Sequence, residues 1–386
     1  MTFKGFERSN GTVGTRNFVG VISTVACANE VARWVSSSNG GVKAFWHGQG
    51  CAQTSPDLEI VTRTLISLGH HPNLAAVVLI GLGCESVSID EVAKGISSSE
   101  KPVETITIQE VGGAKKAREI ARSKISRLKS EFLPGRRREA DVSNLLVGLK
   151  CGASDTTSGI TANPALGRTV DMLIDEGASC VFGETTECIG AEDLIASRGG
   201  NRKVQKAIMC TVLGMEDRAK KMGVDMRGGQ PTQGNIKGGL STIEEKSLGA
   251  AVKIGSRKIQ GVFPYGSRIV SKGLFMVDSP GREPEVLTGL VATGAQVVIF
   301  TTGRGAPQGF PFAPVIKITG NPKTAKTLAD HIDLDVSGIL RGEETLEQAG
   351  CDILEMAIAV ASGRKTKAEK LGYEGSMNIY VTGPVI

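Results

Sequence analysis

Runs of apolar, β-branched residues alternate with stretches of helical periodicity along almost the whole chain, and this constrains the fold more than any other feature. In the first half the apolar runs are Asn17 to Val25, Val42 to Trp46, Leu74 to Leu82 and Val103 to Ile108. Helical patterns lie between and after them at Asn29 to Ser36, Asp57 to Leu68, Ile89 to Ile96 and Ala114 to Phe132. The alternation then restarts, with strands expected at Leu145 to Leu149, Ser179 to Phe182, Ile259 to Phe263, Gln296 to Phe300 and Val315 to Ile318. Helices are expected at Ala165 to Asp175, Ala191 to Ser197, Arg202 to Lys221, Thr242 to Ala250 and Leu346 to Ala361. Strands that alternate with helices pair in parallel through right-handed crossovers. The expected fold class is therefore α/β: two α/β units with mostly parallel sheets, in Rossmann-like layering but without a dinucleotide fingerprint. Pro, Gly and a charge run at Leu133 to Ser143 mark the boundary, giving a first unit of residues 1–138 and a second of 139–386 with glycine-rich loops. VVLIGLGCES at 77–86 faintly echoes LLVGLKCGAS at 145–154. Between Gly223 and Gly239 glycine and proline crowd without a period, which suits a linker or a functional loop.

At 386 residues the chain is long enough for two or three cores at about 150 residues each. Lys and Arg exceed Asp and Glu by 45 − 40 = 5, too weak a field to argue for nucleic acid or an anionic membrane. No uncharged apolar stretch reaches about 18 residues, and the first residues lack the apolar core of a signal peptide, so a cytoplasmic location is expected. In that setting eight cysteines are reduced thiols or metal ligands rather than a disulfide framework.

Four of them, Cys27, Cys51, Cys84 and Cys151, each follow the carboxyl end of an expected strand, the edge where open α/β sheets bind ligands. Cys180, Cys188, Cys210 and Cys351 fall within strand or helix patterns and read as core residues. There is no CxxC pair, which disfavours a zinc ribbon. Glu85, Asp155, Glu184 and Glu187 gather at the same strand ends, and oxygen ligands mixed with thiolates suit iron better than magnesium or calcium. His47, in HGQGC, is placed to be a ligand or proton carrier. His70 and His71 close a helix and His331 sits in an acidic stretch, so these three carry less weight. The loop TTGRG, with Thr302 and Arg304, offers hydroxyls, backbone N–H groups and a guanidinium to a carboxylate or phosphate. GxxxxGK[ST], HExxH and GxSxG are absent, which removes support for nucleotide hydrolysis, zincin and serine-hydrolase chemistry.

The segments GFERSNGTVGTRN, HGQGC, HPNLAAVVLIGLGCE, IQEVGG, GLKCGASDTTSGITANPALG, ETTECIGAEDL, GNIKGGLSTIEEKSLG, DSPG and FTTGRG, in that order, resemble the altronate and galactarate dehydratase family of sugar-acid hydro-lyases. The resemblance runs from about residue 4 to residue 340. It implies metal-dependent dehydration of a hexonate or hexarate to a 2-keto-3-deoxy acid, with Fe2+ or an iron–sulfur cluster, or another divalent metal, as cofactor. Many relatives begin with a small extra domain, whereas here GTRN already starts at Gly14, so the chain looks like the large subunit of a two-part enzyme. The expected partners are a small-molecule sugar acid and a separately encoded small subunit, in a homo- or hetero-oligomer, with no nucleic acid and no membrane.

Dehydration removes the proton α to a carboxylate and expels a β-hydroxide, and a Lewis-acidic metal can help both charges. Cys51, Cys84 and Cys151 are the expected ligands, with Cys27 in reserve. Glu184, Glu187, His47 and Lys237 are the candidate proton carriers. Arg16 and Arg304 are expected to hold carboxylate groups, and Asn17, Asn163 and Thr302 hydroxyls. Three other readings compete: a related lyase that expels sulfite from a sulfonated hydroxy acid, a non-catalytic sugar-acid binding module, and, more distantly, a nicotinamide dehydrogenase.

Overall fold

The alternation is realised as two parallel sheets. The computed structural model describes every residue except 38, 376, 385 and 386. In chain order its strands are β1 (Thr2–Glu7), β2 (Val13–Gly14), β3 (Phe18–Ser23), β4 (Val42–Phe45), β5 (Leu74–Gly81), β6 (Val103–Thr107) and β7 (Arg138–Asp141). They continue with β8 (Leu146–Gly152), β9 (Ser179–Phe182), β10 (Ile259–Phe263), β11 (Leu274–Val277), β12 (Val297–Thr302), β13 (Val315–Thr319) and β14 (Leu334–Asp335). A four-stranded sheet has the order β4-β3-β5-β6 and a seven-stranded sheet the order β10-β11-β9-β8-β12-β13-β14, every pairing parallel. Helices cover both faces, so β5 (LAAVVLIG) and β8 (LVGLKCG) are buried along their full lengths and read as continuous rather than alternating apolar runs. These are also the two echoing segments, and each lies inside its sheet.

Several features depart from the expectation, among them the unexpected strand β11 inside the seven-stranded sheet. The boundary segment contains β7, which pairs antiparallel with β1, itself paired with β2, in a small third sheet. The sequence READ of β7 is mostly exposed and charged, so it carries no strand signal of its own; β1, far away in the chain, supplies the pairing. The Glu283–Ala292 helix was also not expected, because from Glu285 onward all its residues are buried and its pattern lacks a polar face. The glycine-rich stretch folds into two short helices, Met226–Gly229 and Gln233–Lys237, and so is a structured loop rather than a linker. By contrast the basic KKAREIARSKISRLK run is a solvated helix face, with Ala117, Ala121, Ile125 and Leu128 turned inward. Of the cysteines expected in the core, Cys180 and Cys188 are buried, whereas Cys210 and Cys351 are exposed.

One hydrophobic core spans both sheets: Ile22, Leu65 and Leu79 from the first unit join Val286, Leu290 and Phe300 from the second. The Ser55–Gly69 helix packs on the Glu283–Ala292 helix, and Arg63 donates twice to the Tyr265 carbonyl across the seam. The His71–Asn73 turn is a second tie. His71 Nε2 bonds the Ala295 carbonyl at 2.9 Å, and Asn73 Nδ2 donates to the Gln296 and Phe312 carbonyls. Strand order places two crevices. In the four-stranded sheet the chain steps from β3 out to β4 and returns to β5 on the other side of β3. In the seven-stranded sheet it runs out from β8 through β9 to β10 and returns to β12 on the other side of β8. The carboxyl edges at such switch points are where open sheets hold ligands.

Candidate functional site

At the second switch point the ends of β8 and β9 carry a buried cluster of charges. Gly183 is closely packed, since a Cβ there would lie 2.4 Å from Ser279 Oγ, and Glu184 follows it in the left-handed region with φ +64°. That turn folds the Glu184 carboxylate back over β8. Its Oε1 accepts from Lys150 Nζ at 2.7 Å, and its Oε2 from the Cys151 amide and from Lys253 Nζ, both at 3.0 Å. The Cys151 thiol donates to Glu187 Oε2 at 2.9 Å, and Lys253 Nζ lies 3.2 Å from its Sγ. Lys246 stands 3.7 Å from Glu187 Oε1. The Lys150 and Glu184 side chains are both 0% exposed, so neither charge could persist without the other. Burial favours a neutral Glu184, but Lys150 and Lys253 outweigh it and hold the carboxyl below the usual carboxylate range. Burial, with the Glu187 carboxylate beside it, pushes the Cys151 thiol well above the usual value. Burial opposes a charge on Lys253, yet Cys151, Glu184 and Glu187 keep it protonated.

Ligand atoms of Cys151, Glu184 and Glu187 lie within 4.8 Å of one another, close enough for one metal ion. Lys253 nevertheless sits against the same Sγ and the same Glu184 oxygen. Two lysines already balance two carboxylates, so a divalent cation fits poorly while Lys253 stays there. Glu187 and Lys246 line a cavity of 260 Å³ together with Arg282, Thr232 and Gln230, so the glycine-rich segment is one of its walls. On the other side Lys246 also lines a cavity of 190 Å³ with Asp155, Ser158 and Asn163.

The first switch point holds the other thiols. Cys27, Cys51 and Cys84, all exposed, follow β3, β4 and β5, neighbours in one sheet. Their loops are laced together. The Gln49 carbonyl accepts from the Ala26 amide, and the Gly50 carbonyl accepts from the Ser86 and Val87 amides. Gly50, at φ +111°, packs so closely that a Cβ would lie 2.2 Å from the Thr24 carbonyl oxygen. Glu85 braces the edge by accepting from Thr24 Oγ1 and the Leu82 amide. All three are free thiols on adjacent loops, and the Cys84 Sγ accepts from Gln109 Nε2 at 3.6 Å. Asn378 links the two regions: it accepts from the Gly48 amide and donates to Glu285, the carboxylate paired with Arg282.

Several residues expected at the site have other neighbours. His47 is buried; its Nε2 bonds the Ser23 carbonyl at 2.9 Å, its Nδ1 accepts from the Gln49 amide, and burial lowers its pKa to about 4. Both ring nitrogens are thus spent on the loop that carries Cys51. Arg16 forms a bidentate pair with Glu369 and donates to the Thr15, Val360 and Arg364 carbonyls. Asn17 binds Arg8 and the Phe132 and Leu133 carbonyls. Asn163 donates to the Gly249 carbonyl and accepts from Thr301. Thr302 Oγ1 accepts from the Gly305 and Ala306 amides and so shapes the TTGRG turn. Arg304 is exposed and reaches the Gly234 carbonyl at 2.6 Å, and Lys237 is exposed at the end of its helix. Asp155 caps the Thr156–Ile160 helix.

Sequence reasoning missed Lys150, Lys253, Lys246 and Arg282. For Lys150 a signal existed, a lone lysine inside the apolar strand LLVGLKC, since lysine is almost never fully buried unless paired. Lys317, in VIKIT, repeats it. It lies in register with Phe300, which in turn pairs with Lys150, and both ammonium groups lie over the Phe300 ring at 4.8 and 4.7 Å.

Two family models match the chain. The D-galactarate/altronate dehydratase C-terminal model covers residues 142–384, and the D-galactarate dehydratase/altronate hydrolase second-domain model covers residues 5–132. The chain is 42% identical over 383 residues to the (2R)-sulfolactate sulfo-lyase subunit beta of Chromohalobacter salexigens, covering 96% of this chain and 95% of that one. It is 34% identical to the altronate dehydratase of Bacillus subtilis, over 96% of this chain and 76% of the relative. It is 33% identical to the L-threo-forming galactarate dehydratase of Escherichia coli, over 100% of this chain and 77% of the relative.

Proposed function

Because this chain belongs to the D-galactarate/altronate dehydratase family of lyases, we propose that it removes the proton α to the carboxylate of a sugar acid and expels the β-hydroxyl, leaving a 2-keto-3-deoxy acid. The observation that carries this reading is the buried cluster of Cys151, Glu184, Glu187 and Lys253, which opens through Glu187 onto a cavity that also presents Lys246 and Arg282. Lys246 and Arg282 hold the substrate carboxylate. Glu187 takes the α-proton, oriented by the Cys151 thiol. Lys253 supplies a fixed positive field against which the enediolate charge develops, and Glu184 holds Lys253 in place. Iron held by Cys27, Cys51 and Cys84 would supply Lewis acidity to the departing hydroxyl. Lys237 and Arg304, both exposed, are contacts for a partner or a longer substrate. A separately encoded small subunit completes the enzyme, and the cytoplasm, with its reduced thiols, is where such a chain works.

Anaerobic purification followed by iron and sulfide analysis tests the metal assignment. Serine at Cys27, Cys51 or Cys84 is expected to strip the iron, whereas Cys151→Ser keeps the iron and lowers turnover. Full iron in the triple variant overturns the assignment.

The end-to-end match to a sulfo-lyase subunit favours a second reading, in which the leaving group is sulfite. The same proton abstraction serves, but sulfite departs with less electrophilic help than hydroxide. Assay of 2-keto-3-deoxy acid from a sugar-acid panel, alongside sulfite release from sulfolactate, separates the two; sulfite alone would replace the dehydratase reading.

A further inference from the structure

At the amino edge of the four-stranded sheet, away from the thiols, lies a cavity of 1010 Å³ with Arg8 and Lys101 in its wall and Arg136 and Arg138 at its mouth. Lys101 precedes β6, and Arg8 lies against the turn that precedes β5. Lys101 is only 7% exposed, and among the described residues its ammonium hydrogen-bonds the His71 carbonyl at 2.5 Å. Arg8 donates to the Pro72 and Arg16 carbonyls and to Asn17 Oδ1. Among the described residues no carboxylate forms an ion pair with Arg8, Lys101, Arg137 or Arg268. The acidic residues that line this cavity, Glu7, Glu100 and Glu131, are exposed, and Glu7 is taken by Arg138. Elsewhere Lys150 and Lys253 share the Glu184 carboxylate, whereas the buried Lys317 lies in no cavity wall with other cations and donates to the Gln308 carbonyl. A buried cation cluster without a counter-ion is costly, and a bound anion removes that cost.

We propose that this cavity is a second ligand site, which takes a small polyanion such as a diphosphate or a polycarboxylate between Lys101, Arg8 and Arg136. It is separate from the thiol edge, because it lies at the opposite ends of the same strands. Two of its wall residues touch the His71–Asn73 turn, Lys101 through the His71 carbonyl and Arg8 through the Pro72 carbonyl, and the side chains of that turn bond the loop before β12 and the loop between β12 and β13, so an occupant bears on the tie between the two sheets. In the free protein, burial and then the Arg8 and Arg268 charges push the Lys101 pKa well below the usual lysine value. An anion beside it favours the charged form, so binding is coupled to protonation of Lys101.

Titration calorimetry of the purified chain with pyrophosphate tests this, run in two buffers of different ionisation enthalpy. One site per chain with net proton uptake is expected. Lys101→Met is expected to weaken binding at least tenfold and abolish the uptake, and Arg136→Ala, on the surface and harmless to folding, to weaken it severalfold. Citrate competing with pyrophosphate identifies a general polyanion site, and failure to compete assigns it to phosphates. Absence of binding, or equal affinity in wild type and both variants, overturns the proposal.

Discussion

Glu184 bears two lysine ammonium groups in a fully buried space, and its consequences belong to the residue scale. Glu184→Gln leaves Lys150 and Lys253 short of one negative charge, and removing one partner of a buried pair costs about 3–5 kcal/mol. The expected outcome is a drop of that size in urea-unfolding free energy, together with lost turnover; an unchanged midpoint would mean that the lysines are neutral. The same residue scale sets an acid limit. His47 and His71 are buried with pKa values lowered to about 4 and about 3, both by burial, while their unfolded values are near 6.5. Between those values the unfolded chain binds more protons, so stability falls as pH drops below about 6.5, by roughly 3 kcal/mol per histidine as pH nears the folded value. The depressed Glu184 adds to the loss only when pH falls through its own, lower range. Urea midpoints from pH 7 to pH 4.5 should fall steadily, and a flat profile would refute the buried neutral imidazoles. These roles were not legible in the sequence. His47 and Arg16 sit in conspicuous motifs, but which partner each side chain finds, a carbonyl of Ser23 or a carboxylate of Glu369, depends on loops far apart in the chain.

Among elements, the carboxyl edge of the four-stranded sheet depends on one glycine. Gly50 has a left-handed φ and touches the Thr24 carbonyl, so Gly50→Ala must move the loop carrying Cys51 away from those carrying Cys27 and Cys84. We expect less iron per chain and a stability loss of 1 kcal/mol or more, roughly the cost of a side chain where φ is positive. Iron content equal to wild type would separate Cys51 from the metal. The strands that carry this edge were legible, because a strand buried on both faces is a continuous apolar run whatever it packs on. β1 and β7 were not. Their pairing is antiparallel between distant segments, and READ has no apolar pattern until β1 lies beside it. The Glu283–Ala292 helix shows the opposite failure, since burial on all sides erases the periodicity that identifies a helix.

Across the whole molecule, the shared core and the Asn73 side chain, which accepts from the Thr15 and Arg16 amides and donates to two carbonyls beyond the seam, bind the two sheets into one cooperative unit. One calorimetric unfolding transition is therefore expected despite two α/β sheets, and Asn73→Ala, which orphans buried donors and acceptors, should lower its midpoint by several degrees. Two resolved transitions would refute the single unit. By itself the sequence determined the α/β class, the parallel sheets, the placing of thiols and carboxylates at strand ends, and the family, because each is written in local periodicity or in contiguous motifs. Only the tertiary structure decided which of those groups meet. It parted Cys151 from the other three cysteines, paired it with Glu187, and brought Lys150 from β8 and Lys253 from a turn a hundred residues later onto one carboxylate. Burial makes such pairings obligatory, yet the partner each group finds depends on strand order, which no single stretch of sequence encodes.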